Sequence, residues 1–149
     1  LTLVIPLGSI YLGMNYSTTP FYIALDSLFN SRFYLMHTAF KNNGITLLGQ
    51  YIKVISWTSN VIAEETNAVD NLYGYILINF GTIFFTVVIL TLVISYIYAS
   101  KKDERKICLC ILFFIIAGFC ENKMLYIGTN IFTLYIAVAL YQSSMKIRK

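Results

Sequence analysis

The chain has 149 residues, of which 58% are hydrophobic and only 12% are charged. In a soluble globular domain about a quarter of the residues are charged, so this composition argues against a soluble enzyme and favours a membrane protein. The net charge of +4 comes mainly from two basic clusters, each of which follows an apolar run. Clusters placed in this way are typical of cytoplasmic loops, so we expect no nucleic-acid partner. The clusters consist of Lys101, Lys102, Arg105 and Lys106, and of Lys146, Arg148 and Lys149.

The first apolar run covers residues 1–14, which is short of the roughly 20 residues that cross a bilayer. We therefore expect a partial transmembrane helix here. We also expect the chain to be the C-terminal part of a longer membrane protein, without activity by itself. Residues 15–72 are more polar and rich in aromatic side chains, which predicts one large extracytoplasmic loop.

Three later apolar runs cover residues 75–99, 107–120 and 124–141, and each predicts a transmembrane helix. Placing both basic clusters in the cytoplasm puts the large loop outside and the C-terminus inside. The predicted fold class is therefore an all-α integral membrane protein with about four transmembrane helices, the first of them partial. We expect these helices to form a single membrane domain within a larger multi-span protein.

The large loop carries ionisable side chains that suit chemistry on a phosphate or a sugar. Asp26 or Ser27 is a candidate N-cap for a helix from residue 28 to about residue 42. In such a helix Asp26 and His37 share one face, because 11 residues make about three turns. His37, the only histidine, is a candidate general base or an interfacial polar side chain. Arg32 is a candidate ligand for a phosphate group, or an anchor that pairs with a carboxylate or a lipid headgroup.

Further candidates lie where the loop and the predicted spans meet. Asp70 is either the N-cap of the span that follows or a carboxylate that acts on a sugar. Tyr73 fits an interfacial belt of tyrosines. Glu121 is predicted at shallow membrane depth, where ionisable groups usually face a cavity, or else in a plain interfacial turn. No cluster has the spacing of metal ligands, so we expect neither a metal nor a cofactor.

Four short stretches occur together in the order seen in a known family. They are Leu25-Asp26-Ser27-Leu28-Phe29-Asn30-Ser31-Arg32, Ala39-Phe40-Lys41-Asn42-Asn43-Gly44-Ile45-Thr46-Leu47-Leu48-Gly49, Val69-Asp70-Asn71-Leu72-Tyr73 and Glu121-Asn122-Lys123. With Gly81 and the predicted topology, this order resembles the C-terminal half of bacterial polysaccharide polymerases of the Wzy type. The resemblance covers roughly residues 20–130. The earlier spans of that family have no counterpart in this sequence.

The resemblance implies a membrane glycosyltransferase that joins undecaprenyl-diphosphate-linked oligosaccharide repeat units into surface polysaccharide, on the outer face of the cytoplasmic membrane. By this analogy Arg32 binds the diphosphate, while Asp70 and His37 orient or deprotonate the acceptor hydroxyl. The further candidates for contact with the substrate are Asp26, Tyr73 and Glu121.

The resemblance also implies a multi-pass protein of the bacterial cytoplasmic membrane. Its expected partners are membrane lipid, a chain-length regulator and a flippase. Three alternatives stay open: a transferase like the O-antigen ligases, a non-enzymatic transporter of lipid-linked sugars, and a structural membrane subunit. A ligase makes a single transfer instead of a ladder of products. A transporter is expected to place ionisable groups inside its spans, and residues 76–99 contain none.

Overall fold

The computed structural model describes residues 1–52, 69–125, 137–138 and 141. Within the two long ranges the secondary structure consists of six α-helices and one short 3-10 helix. In chain order the helices are α1 (Val4–Met14), α2 (Pro20–Leu28), α3 (Arg32–Asn43), α4 (Leu72–Asn79), α5 (Gly81–Lys101) and α6 (Arg105–Cys120), and the 3-10 helix is Asn122–Leu125.

The prediction of about four transmembrane helices is wrong. Among the described residues, α5 alone is both long enough and apolar enough to cross a membrane. α1 has 11 residues and α6 has 16, whereas a crossing helix needs about 20. The predicted span over 124–141 falls almost entirely outside the described residues. The all-α part of the prediction holds for the described chain, in which helices are joined by turns and irregular segments.

The predicted span over 75–99 is interrupted near its start. α4 ends at Asn79 and α5 begins at Gly81, so two helices replace one. Gly81 has a φ of 82°, a left-handed conformation that glycine adopts without steric cost. Hydropathy alone does not reveal this break, because the residues on both sides of it are apolar.

The interruption is filled by an irregular segment over residues 46–50, which lies against the facing ends of α4 and α5. A break in a helix leaves backbone N–H and C=O groups without intrahelical partners, and the segment satisfies three of them. Thr82 N donates to Thr46 O at 3.0 Å, Ile83 N donates to Leu47 O at 3.2 Å, and Gln50 N donates to Asn79 O at 3.1 Å. The approach is so close that a Cβ atom on Gly49 or Gly81 would overlap the opposing backbone.

One buried side chain, Asn71, joins three of the helices. It is only 1% exposed, and both ends of its amide are bonded. Its Oδ1 caps α4 by accepting hydrogen bonds from Tyr73 N at 3.0 Å and Gly74 N at 3.1 Å. Its Nδ2 donates to Ser9 Oγ in α1 and to Phe119 O in α6, both at 2.7 Å. Asn71 therefore fixes the start of α4 against both α1 and α6.

The core is built around Met36 of α3, which is fully buried. Met36 lies against Gly13 in α1 and Gly74 in α4, and a Cβ atom on either glycine would overlap it. The absence of side chains at these two positions lets α1 and α4 approach α3 closely. The other large apolar side chains that are fully buried are Phe33, Leu72, Tyr73, Ile76, Ile78, Ile111 and Ile115.

The apolar side chains of α5, in contrast, remain mostly on the surface. Only 17% of its most apolar stretch is buried within the described structure. An exposed apolar surface of this extent is typical of contact with lipid or with another protein. Its largest exposed members are Ile83, Phe84, Val87, Leu90, Ile94 and Ile97.

We expect the substitution Gly81→Ala to destabilise the protein more than Gly44→Ala. Both glycines have a positive φ, 82° and 70°, and a conformation of this kind costs an alanine about 1–3 kcal/mol. Gly44 has no neighbouring atom within 4 Å of the added methyl group, whereas Gly81 faces the backbone of the segment over 46–50. Thermal unfolding in detergent, followed by circular dichroism, should give the lower midpoint for Gly81→Ala. Equal midpoints would contradict the close packing at the helix break.

We expect Asn71→Ala to lower the free energy of unfolding by about 3 kcal/mol or more, because it removes a cap and leaves buried polar groups unpaired. Urea unfolding in a mild detergent measures this change. The matched control is Asn15→Ala, an exposed amide whose side chain bonds Tyr11 O one turn earlier. The control should change the stability by no more than about 0.5 kcal/mol. Similar losses for both variants would show that Asn71 does not hold the three helices together.

Candidate functional site

The turn between α2 and α3 is built around Asp26, which is 5% exposed. Its Oδ1 accepts hydrogen bonds from Phe33 N at 2.9 Å and Tyr34 N at 3.3 Å. Its backbone carbonyl accepts from Phe29 N at 3.1 Å and Ser31 N at 3.0 Å. A carboxylate at this position satisfies N–H groups in the first turn of a helix and interacts favourably with the helix dipole. Asp26 therefore fixes the point at which α3 begins.

The prediction of a helix starting at residue 28 is wrong. α2 ends at Leu28 and α3 begins at Arg32, and two of the residues between them, Asn30 and Ser31, have φ values of 50° and 61°. A left-handed pair of this kind interrupts the regular helical spacing. As a result, Asp26 and His37 do not share one face of a continuous helix.

Asp26 and His37 are instead connected through Tyr16. Its ring lies near the rings of Tyr22, Tyr34 and His37, with centroid distances of 5.8, 5.7 and 5.9 Å. Burial raises the pKa of the Tyr16 phenol, and the charge of Asp26 and a hydrogen bond to its carboxylate raise this pKa further. The phenol therefore stays protonated at neutral pH and can donate to Asp26. Through this contact the residue that starts α3 also holds an aromatic cluster.

His37 lies on α3 and reaches across to the end of α1. Its Nδ1 is 3.1 Å from Gly13 O. A carbonyl oxygen only accepts hydrogen bonds, so Nδ1 carries the proton, and in the neutral ring Nε2 keeps a lone pair. The carbonyl groups in the last turn of a helix lack intrahelical partners. His37 therefore closes the end of α1 with one nitrogen and retains the other as an acceptor.

Tyr16, Tyr34 and His37 line a polar cavity of about 480 Å³ between the α1–α2 connection and α3. Its walls carry phenol rings, hydroxyl groups, an imidazole and the ammonium group of Lys41. The complete lining is Tyr16, Ser17, Thr18, Tyr34, His37, Thr38, Lys41 and Asn42. Aromatic faces and hydroxyl groups suit a sugar, and an ammonium group suits a phosphate. The cavity therefore fits a ligand that combines the two.

The predicted site residue Arg32 lies at the first position of α3 but does not line this cavity. Its Nη1 atom is buried and has no hydrogen-bond partner among the described residues. Buried polar groups are nearly always paired, so this donor is unusual. Arg32 therefore supplies a buried donor at the start of α3, and its role in binding diphosphate stays a prediction.

Three other predicted site residues, Asp70, Tyr73 and Glu121, lie around the start of α4 and the end of α6. Asp70 is exposed, and the N-cap of α4 is Asn71 rather than Asp70. Tyr73 is completely buried, and its hydroxyl group donates to Ile115 O at 2.6 Å, so in this structure its ring packs in the core. Glu121 is half-buried just after α6. None of the three lines the cavity of His37.

Sequence reasoning missed Tyr16, Tyr34 and Lys41. Lys41 lies four residues after His37, and this spacing places the two side chains on one face of a helix. That signal was present in the sequence. The role of Tyr16 had no local signal, because its contacts with Asp26 and α3 depend on how the chain turns back after α1.

No family model, no curated protein and no solved structure matches this chain. Over the described ranges, no group of three or more His, Cys, Asp and Glu side chains is placed to hold a metal ion. The lining residues of the cavity are thus the basis for assigning its chemistry.

We expect Asp26→Asn to lower the pKa of Tyr16 while leaving it above its usual value of 10.0, because burial remains the larger cause of the shift. The asparagine keeps an oxygen that can cap α3 but removes the charge. NMR of protein labelled at the tyrosine ζ-carbon follows the titration, and Tyr16→Phe assigns the signal. An unchanged titration of Tyr16 in Asp26→Asn would contradict the contact between the two residues.

The raised pKa of Tyr16 also has a consequence for stability. In the unfolded chain the phenol loses its proton near pH 10.0, whereas in the folded protein it stays protonated to higher pH. The unfolded state therefore binds fewer protons than the folded state above this pH, and the free energy of unfolding falls as the pH rises. Tyr16→Phe should remove this part of the loss, as measured by urea unfolding between pH 9 and about pH 11.

Proposed function

We propose that this protein is a membrane glycosyltransferase that polymerises undecaprenyl-diphosphate-linked oligosaccharide repeat units into surface polysaccharide. The observation that carries the proposal is the position of His37. It lines a polar cavity beside aromatic rings and Lys41, and its Nδ1 is bonded to Gly13 O. This bond orients the imidazole and leaves Nε2 as the proton acceptor.

The proposed reaction needs three groups, and the cavity offers a candidate for each. The acceptor hydroxyl loses its proton to His37 Nε2 while its oxygen forms a bond to the anomeric carbon of the growing chain. The bond between that carbon and the lipid diphosphate breaks, and the diphosphate leaves with the electron pair. Lys41 stabilises the charge of the diphosphate, and Tyr16 and Tyr34 provide faces and hydroxyl groups that contact sugar rings.

Arg32 and Asp70 keep, as predictions, the roles that the resemblance implies. The buried and unpaired Nη1 of Arg32 is a donor that an anionic ligand could satisfy. Asp70 is exposed and lies next to the residue that caps α4. Neither residue belongs to the lining of the cavity, so His37 and Lys41 are the first targets for a test.

Contacts between the short stretches that carry the family resemblance also support the proposal. Gly49 lies directly against the backbone before Gly81. At the other end of α4, Asn122 Nδ2 donates to Val69 O at 2.6 Å. Stretches that lie far apart in the sequence are therefore neighbours in space, as expected if together they form one functional unit.

The exposed surface of α5 favours a location in a membrane. Its 21 residues are long enough to cross a bilayer, and Lys101 and Lys102 follow at its C-terminal end. By the usual distribution of basic residues, this end lies in the cytoplasm. We propose that α5 anchors the protein in the bacterial cytoplasmic membrane and that its N-terminal end faces outward.

The test uses the full-length gene in its native host. Deleting the gene should leave single repeat units on the surface, and wild type should restore a ladder of long polymer on a gel. We expect His37→Gln to reduce polymer by about 100-fold or more, because general-base catalysis contributes factors of about 10²–10⁴. Lys41→Gln should reduce it by about 10-fold or more, since it removes a charge-assisted hydrogen bond to phosphate.

The matched control is Ser27→Ala, an exposed hydroxyl group that bonds Ala24 O within its own helix. It should restore the full ladder at a normal membrane level. Full activity of both cavity variants would reject the cavity as the active site. Long polymer that persists on the carrier lipid after deletion would point to a ligase. Loss of all surface glycan, with repeat units retained inside, would point to a transporter.

A further inference from the structure

The turn between α5 and α6 presents basic side chains at the end of the most exposed apolar helix. α5 ends at Lys101 and α6 begins at Arg105, so three residues connect them. Asp103 has a left-handed φ of 54°, and Glu104 N donates to Ala99 O at 3.0 Å. The turn is therefore closed by its own backbone, which places the basic residues next to one another.

The positive charge of the turn is largely unpaired. Arg105 Nε bonds Asp103 Oδ1 at 3.2 Å, and both side chains are more than 80% exposed, so this ion pair adds little stability. Lys101, Lys102 and Lys106 are exposed, and no carboxylate in the described part of the chain pairs with them. Three ammonium groups thus remain available to an anionic partner.

Apolar side chains lie directly beside this charge. Ile94 and Ile97 are 63% and 47% exposed and lead along α5 to the turn. A cleft of about 350 Å³ opens between α5 and α6, with apolar walls from Tyr96, Leu109 and Leu112 and with Asp103, Glu104 and Arg105 of the turn also in its lining. Residues 101–106 hold four basic and two acidic residues, so the net charge of the turn stays positive.

A tyrosine also lies near the C-terminal end of α5. Lys102 Nζ lies 5.8 Å from the centre of the Tyr98 ring. Tyrosine and lysine at the end of an apolar helix are typical of the level at which lipid headgroups begin.

We propose that the α5–α6 turn binds an anionic phospholipid. The headgroup phosphate is held by Lys101, Lys102 and Lys106, and an acyl chain lies along the apolar side chains of Leu109 and Leu112 in the cleft and along the adjacent surface of α5. A nucleic acid would use the lysines but would leave the apolar cleft and the exposed isoleucines without a partner. The proposal depends on the membrane location given above for α5, but it does not depend on the glycosyltransferase activity.

The test measures lipid binding by the full chain in neutral detergent micelles. The protein is titrated with a fluorescent phosphatidylglycerol, and fluorescent phosphatidylcholine is the neutral comparison. We expect phosphatidylglycerol to bind at least 10-fold more tightly. A lysine near a lipid surface contributes about a 5-fold change in affinity, so the triple variant Lys101→Gln, Lys102→Gln and Lys106→Gln should lose about 100-fold.

Two controls separate the sources of binding. Lys41→Gln removes one positive charge at the proposed sugar cavity and should keep the affinity for phosphatidylglycerol, so a failure of the proposed activity leaves this result intact. Leu109→Gln keeps all the lysines but makes the apolar cleft polar, and it should weaken binding by about 5-fold or more. Circular dichroism verifies that each variant is folded.

Several results would overturn the proposal. They are equal binding of the two lipids, an unchanged affinity in the triple variant, an unchanged affinity in Leu109→Gln, and displacement of the lipid by inorganic phosphate or by an oligonucleotide at equal phosphate concentration. The last result would assign the lysines to a soluble phosphate or to a nucleic acid.

Discussion

The arrangement of the described helices depends on the amide of Asn71. Its oxygen caps α4, and its nitrogen bonds α1 through Ser9 and α6 through Phe119. An amide buried in an apolar core is costly unless its donors and acceptors are paired, and here they are paired only when the three helices are in register. Apolar packing alone tolerates small sliding movements, whereas these four bonds do not. The same residue thus sets the start of α4 and the relative position of its neighbours.

The position of α4 that Asn71 sets also affects the candidate site. Gly74, which donates to the oxygen of Asn71, also gives Met36 room to pack against α4. Met36 directly precedes His37, and it contacts Gly13, whose carbonyl oxygen bonds the imidazole. The cavity is therefore fixed at its base by the core of the protein. The general base proposed for His37 would need such support, because small errors in its position cost much of the rate.

The second constraint on the fold is the close contact between Gly49 and Gly81, and it shows where sequence reasoning reaches its limit. Hydropathy predicted helical structure in the second half of the described chain, and α5 and α6 lie there. It did not predict the break at Gly81, because the bonds that stabilise the break come from residues 46–50, more than thirty positions earlier. The number of transmembrane helices was overestimated because α1 and α6, with 11 and 16 residues, are shorter than the roughly 20 residues that cross a bilayer. The hydropathy of an apolar run shows how hydrophobic a segment is, but it does not show where the backbone changes direction.

For the candidate site too, the sequence indicated some residues and gave no signal for others. Asp26 and His37 were recognisable from their chemistry, since a loop with few ionisable groups draws attention to each one. Asn30 carried a local signal for a left-handed turn, because asparagine adopts this conformation more readily than most residues. The contact of Tyr16 with Asp26 had no such signal, since it forms only after α2 folds back and brings the two side chains together. Because Asp26 both starts α3 and holds Tyr16, a change at this residue affects the shape of the cavity and the protonation of its phenol together. The proposed function of the cavity and the stability of the turn are therefore coupled through one carboxylate, so a substitution there must be assessed both by polymer formation and by unfolding.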